Sequence, residues 1–175
     1  MIPIYDSTME PIVTPRLRGL PIAESDFDDL CALHRDRRVL PTGVEPLTND
    51  ETCEWLDWRL GHWREHGFGV WMFRDENDAF VGRCGIHEWS LEGQPEVEIG
   101  YIVRADLWSQ GYATEMGHAV VGHAFSTLAM HSLVGFTRPG NLGSRRVLEK
   151  LGFTYERSFV VDDQESVLYR RVNDE

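Results

Sequence analysis

Apolar and polar positions change period several times along the chain, and those changes set out its elements. The stretch IVTPRLRGL at 12–20 predicts one short strand. In ESDFDDLCALHRD, Phe27, Leu30 and Leu33 recur at helical spacing behind an acidic start, as suits a helix N-terminus. Residues 36–47 carry two prolines and a glycine and predict a loop or broken helix, long enough to form part of a binding groove. Thr48 followed by Glu51 is a capping box that predicts a helix over 49–66, with Trp55, Leu56, Trp58, Leu60 and Trp63 distributed around it and Gly67 as its stop. FGVWMFRD at 68–75 and AFVGRCGIHEW at 79–89 predict a hairpin around DEND, and EVEIGYIVR at 96–104 a further strand after the Gly93-Gln94-Pro95 break. Alternation in that strand sets Val97, Ile99 and Tyr101 on one face and Glu96, Glu98, Gly100 and Ile102 on the other.

From Gly111 the period becomes helical: Ala113, Met116, Val120, Ala124 and Leu128 form an apolar stripe able to lie on a sheet. SLVGFTR at 132–138 is strand-like, Asn141 caps a helix running to Lys150 that Gly152 closes, and TYERSFVV and ESVLYRRV supply two last strands. The order β-α-α-β-β-β-α-β-α-β-β has no internal repeat and no linker. It predicts one α/β domain over 1–175, a mixed, mainly antiparallel central sheet flanked by helices, with an N-terminal arm over 1–12 broken by prolines.

Composition narrows the classes. At 175 residues the chain has the length of one domain and can bury roughly 70% of its unfolded surface without staples. Lys plus Arg total 17 against 29 Asp plus Glu, a formal net charge of −12. That balance argues against nucleic acid, whose binding rests on neutralised phosphates, and favours a cationic substrate or no steering. Cys31, Cys53 and Cys84 are widely spaced, with no C-x-x-C, and predict isolated buried thiols in a reducing compartment. No window reaches 18 consecutive apolar residues and the first residues lack a secretory pattern, so the expectation is a cytoplasmic protein with no membrane partner.

Two motifs compete for chemistry. His62-Trp63-Arg64-Glu65-His66 has the H-x-x-E-H order of an inverted zinc-protease signature, but it sits in the last turn before Gly67 and lacks a third ligand, so it reads as surface or groove lining and no metal is expected. His118 and His123, five residues apart, fall on different sides of their helix. The tryptophans read mainly as core. The stronger signal is IGYIVRADLWSQGYATE at 99–115: a strand end, a short connection, and a glycine-bearing turn into a long helix. The free N–H groups there suit a phosphate or pyrophosphate without a basic side chain. The turn is neither a P-loop nor a dinucleotide fingerprint.

EIGY at 98–101, WSQGYATE at 108–115 and NLGSRRVLEKLGF at 141–153, in that order and separation, resemble the GCN5-related N-acetyltransferase superfamily, and within it the ribosomal-protein N-terminal acetyltransferase-like branch. The likeness runs from Arg16 to Val172. It implies the acyl-CoA N-acyltransferase fold, acetyl-CoA as donor, and a primary amine as acceptor, whether a protein N-terminus or a small cationic amine. It further implies that amides of Gln110, Gly111, Tyr112, Ala113 and Thr114 receive the CoA pyrophosphate, that Ile102, Val103 and Arg104 lie on a splayed strand end pairing with pantetheine, and that the Val103 N–H polarises the thioester carbonyl. Asn141 matches the family's cofactor-contacting asparagine and Ser144 a serine near sulfur. Ser109 replaces the branch's usual glycine, and Leu148 stands where many relatives carry a tyrosine.

An alkylammonium with pKa near 10 cannot attack until it loses a proton. Glu98 is the first candidate base, directly or through water, and Asp163, matching an acidic position of close relatives, is its rival. Glu24, Asp26, Asp28 and Asp29 are candidates for an acidic groove attracting the amine. A non-catalytic acyl-CoA-binding regulatory or interaction module would use the same turn without a positioned base. Monomer and homodimer both remain open.

Overall fold

A computed structural model describes residues 11–41, 43–161 and 163–173. Ten of the twelve residues expected as an arm lie outside that range, and Ile12 already belongs to a strand. The strands are β1 (Ile12–Val13), β2 (Arg18–Pro21), β3 (Val70–Arg74), β4 (Phe80–Leu91), β5 (Gln94–Val103), β6 (Ser132–Thr137), β7 (Thr154–Val161) and β8 (Gln164–Val172). The helices are α1 (Phe27–Arg35), α2 (Asn49–His66), α3 (Tyr112–Ser126) and α4 (Leu142–Lys150). One sheet runs in the order β1-β2-β3-β4-β5-β6-β8-β7, antiparallel throughout except where β5 meets β6. The expected mixed, mainly antiparallel sheet flanked by helices is therefore the architecture.

The first strand is the one element read differently. It is two strands, because Thr14 and Leu17 close a turn across Pro15: the Thr14 amide donates to Leu17 O at 2.9 Å and the Leu17 amide to Thr14 Oγ1 at 3.0 Å. The capping box forms, with the Glu51 amide donating to Thr48 Oγ1 and the Thr48 amide to Glu51 Oε2, and Gly67 ends α2 at φ 73°. β4 and β5 are longer than the pattern predicted. Glu92 and Gly93, both at positive φ, make a two-residue hairpin turn, so β4 reaches Leu91 and β5 starts at Gln94, with Pro95 opposite Ser90.

The core takes its largest buried side chains from the central strands and α3, among them Trp71, Phe73, Ile86, Met116 and Leu133. Trp63 and Trp71 are core, as expected, with the Trp63 indole donating to Val70 O at 2.9 Å. Trp58 is not: it is half exposed. Cys31 and Cys84 are buried as expected, but Cys53 is exposed on α2, because its neighbours Thr52 and Leu56 occupy the inward stripe of that helix. No helix of the described residues is long and apolar enough to cross a membrane.

Candidate functional site

β5 and β6 are joined by a single bridging pair, Glu98 with Val134. Beyond it β5 continues to Val103 on β4 alone, while β6 continues on β8. The sheet thus opens toward the C-terminal ends of the two strands, and α3 and α4 begin beside that gap. A cleft of about 470 Å³ fills it, lined by Tyr101, Ile102 and Val103 of β5, residues 111–114 at the start of α3, and Asn141, Ser144 and Arg146 around α4.

Helix geometry explains the polar wall. Gly111 is the N-cap of α3 at φ 83°, and no side chain caps it. The first helical bond is Glu115 N to Gly111 O, so the amides of Tyr112, Ala113 and Thr114 have no intrahelical acceptor. Ser109, at φ 62°, takes a second left-handed conformation in the same turn. The donor set and the positive end of the helix dipole fit a phosphate diester. Arg16, which the sequence did not single out, holds this turn. Its Nη1 donates to Gln110 O at 3.0 Å, its Nε and Nη2 both reach Glu115 Oε2 at 2.6 Å, and its guanidinium stacks over Tyr112 at 4.2 Å. Arg16 braces the turn from outside the cleft, whose own basic side chains are Arg146 and Lys150.

The strand wall is equally specific. The Arg104 amide donates to Val81 O, so by alternation the amides of Val103 and Tyr101 point away from β4, into the gap. The Val103 carbonyl accepts from the Trp108 indole at 2.9 Å. Arg104 is a correction to the expected set: its amide is taken, its side chain turns to Phe80 O and Asp106, and it does not line the cleft. Asn141 caps α4 through Oδ1, which accepts from the Ser144 amide at 3.1 Å, leaving its Nδ2 as the group it can offer. The Tyr101 hydroxyl donates to Ser144 O at 2.9 Å and lies 3.0 Å from Ser144 Oγ, and burial pushes its phenol well above the usual range. No periodicity singled out Tyr101 beyond its apolar face.

The opposite face of β5 carries Glu98. It pairs across the ladder with His87 of β4, whose Nε2 lies 3.2 Å from Glu98 Oε2, both side chains mostly buried. The Trp58 ring meets the His87 ring edge-on at 5.8 Å, which brings α2 over this face. Gly100, two residues along β5, leaves open space where a Cβ would stand. Asp163 does not join this group. It sits exposed in the β7–β8 turn at φ 56°. Because Val134 pairs with both Glu98 and Arg170, Asp163 lies seven residues along β8 from the level of Glu98, roughly 20 Å away.

His62 is occupied in a different way from a metal ligand. Its Nδ1 lies 2.9 Å from Phe68 O and its Nε2 accepts from the Glu88 amide at 3.1 Å, a pattern that fixes a neutral imidazole with both nitrogens engaged. Burial also lowers its pKa. No group of three or more His, Cys, Asp or Glu side chains able to hold a metal occurs among the described residues. In the acidic run at 24–29, Asp26 and Asp29 both pair with Arg74, at 3.1 and 2.5 Å, and Asp26 Oδ2 accepts from the Ala23 amide, while Glu24 and Asp28 are exposed.

Comparison with known proteins agrees with this geometry. The family model described as acetyltransferase (GNAT) domain matches residues 16–154. The Bacillus subtilis (strain 168) protein YkkB is 30% identical over 162 residues, covering 91% of this chain and 94% of that protein. The crystal structure of an acetyltransferase from Agrobacterium tumefaciens str. C58 is 27% identical with a TM-score of 0.82, covering 94% of this chain and 95% of that one. A ribosomal L7/L12 alpha-N-protein acetyltransferase in complex with coenzyme A shares the fold at 17% identity, with a TM-score of 0.76 and coverage of 94% and 99%. With an amide-lined cleft between parting strands and a matching family model over most of its length, the chain belongs to the GNAT acetyltransferase family.

Proposed function

We propose that the protein transfers the acetyl group of acetyl-CoA directly to a primary amine. One observation carries the reading. β5 presents an amide-lined cleft on one side and a buried carboxylate–imidazole pair on the other, with Ile102 in the cleft wall and on the same strand face as Glu98. Acetyl-CoA supplies an activated thioester. The amides at 111–114 hold its pyrophosphate in a turn that Arg16 braces through the Gln110 carbonyl, Gln110 itself lying outside the cleft wall, and the Val103 N–H binds the thioester oxygen as negative charge develops there. Glu98, oriented by His87, accepts the proton of the incoming ammonium, and the neutral amine then attacks the acetyl carbon. As the C–S bond breaks, the nitrogen of the new amide gives up its second proton to water and CoA leaves as its thiolate, with the Ser144 hydroxyl, held in place by Tyr101, as the side chain offered to the sulfur. No protein side chain needs to be acetylated. Asp163 has no part in this reading, because it stands on an exposed turn away from Glu98.

The test is a panel of primary amines with acetyl-CoA, including polyamines, amino acids and protein N-terminal peptides, read by product mass. An acetylated amine is expected at catalytic turnover. CoA binding with no acetylated product from any amine would replace the reading by the non-catalytic acyl-CoA module.

A further inference from the structure

Helix α2 carries a charge where its packing calls for an apolar group. Thr52, Leu56 and Trp63 are its buried inward stripe, and Arg59 falls on the same stripe at helical spacing. On the sheet beneath, Arg83 stands in central strand β4 between buried Gly82 and Cys84, facing α2. Both guanidinium groups stack on one ring: their central carbons lie 4.9 and 4.4 Å from the Trp55 ring centroid, and that of Arg59 also lies 4.4 Å from Trp58. Neither arginine makes an ion pair among the described residues. The Nε and Nη1 of Arg59 and the Nε of Arg83 are sealed from solvent with no hydrogen-bond partner. Burial pushes Arg59 down to about 10, and burial together with Arg59 pushes Arg83 down to about 9, so each is held charged at cost with its donors unused.

The surroundings say what is missing. Trp58 touches both Arg59 and His87, and His87 pairs with Glu98, so the two arginines and the carboxylate–imidazole pair frame one side of β5 around the open space at Gly100. His34, edge-on to Trp55, supplies no anion and is itself held neutral. Two arginines against Glu98 alone leave one positive charge uncompensated. Aromatic faces stabilise the guanidinium planes but accept none of their in-plane N–H bonds.

We propose that Arg59 and Arg83 seat a carboxylate of the acceptor, so that the amine acetylated belongs to a small carboxylate-bearing molecule of the amino-acid class and not to a polycation. This rests on the transfer reaction above and names its acceptor. A carboxylate is planar, carries one charge, and takes the N–H donors of two guanidinium groups. Its amine would then stand on the Glu98 side of the opening.

The test has two readouts. In the first, matched acceptors are compared: an amino acid, its methyl ester, its amide, a short peptide with a free C-terminus, and spermidine. KM for the free acid is expected to be lower than for the ester by about ten- to a hundred-fold, the scale of charge-assisted hydrogen bonds. Arg59→Gln and Arg83→Gln should each raise KM for the acid at least tenfold more than KM for the ester, while any change in kcat, passed through Glu98, should be the same for both acceptors. The free peptide separates a free amino acid from a C-terminal carboxylate as the source. In the second readout, calorimetry measures binding of the amino acid itself to the protein, without turnover, in the parent and both variants. Loss of that binding in the variants with no acetyl transfer anywhere would uphold the carboxylate seat and sink the transfer reading. Equal KM for acid, ester and spermidine, or equal carboxylate binding by parent and folded variants, would overturn the proposal. So would variants that alter only the melting temperature, which would make the arginines structural.

Discussion

Replacing Gly111 with Asp separates what the fold asks of this residue from what a phosphate asks of it. Gly111 sits at φ 83°, and a Cβ built there would meet only Arg16 Nη2, at 3.7 Å, so bulk is not the obstacle. The conformational cost of a non-glycine residue there is about 1 kcal/mol, and Asp tolerates this region better than most. A carboxylate at a helix N-terminus recovers about 0.3–1 kcal/mol of that, so the melting temperature should move by only a few degrees. Binding should suffer far more. A unit charge about 5 Å from one phosphate charge, at an effective dielectric of about 20, is repelled by about 3 kcal/mol, which corresponds to at least a hundred-fold loss of affinity. Gly111→Asn carries nearly the same shape and backbone tolerance without the charge, and should lose only several-fold. Calorimetric titration with CoA at low and high salt, beside thermal melts, makes the measurement, and salt should narrow the gap between Asp and Asn. Equal CoA affinities of the Asp and Asn variants would refute the placement of the pyrophosphate at this turn.

Three further outcomes follow from the site and its surroundings. Glu98→Gln keeps size but removes basicity, so turnover should fall about 10²–10⁴-fold at pH 7 with CoA affinity kept, and the deficit should shrink as pH rises toward the acceptor's pKa; an unchanged pH–rate profile would remove Glu98 as base. Tyr101→Phe should lower kcat by about tenfold at unchanged CoA affinity, since a thiolate leaves without obligatory protonation; no change in kcat would leave Tyr101 as packing alone. His34 is buried against Thr52 and pushed down to about 4 by burial first, then by Arg83 and Arg59. Its folded pKa lies below the unfolded value of 6.5, so its contribution is whole above pH 6.5 and is lost as pH falls toward 4, by about 3 kcal/mol. Denaturation followed from pH 7 to 4 should show that slope and His34→Gln should flatten it; equal slopes would refute the assignment.

Most elements were legible because their signals are local. The Thr48–Glu51 box, Gly67, Asn141 and Gly152 mark helix ends by chemistry that acts within a few residues, and each does so in the structure. The single strand expected at 12–20 failed because the Thr14–Leu17 turn across Pro15, though closed by local bonds, was read as continuous strand. What the local pattern does not carry is the anchoring of that turn, where Thr14 Oγ1 donates to Glu115 Oε1 at 2.6 Å, a contact spanning 101 positions. The donor turn was readable for the same reason the helix ends were: a glycine before a helical period is a local event. The partner of Glu98 was within reach but depended on register. Once Glu92-Gly93 is seen as a two-residue turn, counting back four steps on each strand from Leu91 and Gln94 sets His87 opposite Glu98, and eight steps set Arg83 opposite Ile102. Taking Gly93-Gln94-Pro95 as a break hid both pairs.

Net charge is counted over the whole chain and says little of one small site. A net −12 describes the surface, where carboxylates outnumber bases, and it suggested a cationic acceptor. Half of the acidic run that supported this is spent internally, since Arg74 holds Asp26 and Asp29 while Glu24 and Asp28 stay exposed. What decides the sign of a small site is the charge that water cannot reach, and around Trp55 that charge belongs to Arg59 and Arg83. The sequence does contain a mark of it. Positions 52, 56, 59 and 63 lie on one helical stripe, and three of them are buried uncharged residues. An arginine at the remaining position would be among the costliest residues a packed helix face could carry if its donors had nothing to meet. A charged residue on an apolar stripe is therefore worth more as a signal than the total charge, because its burial has to be offset by a specific partner, and here that partner is not found among the protein's own described residues.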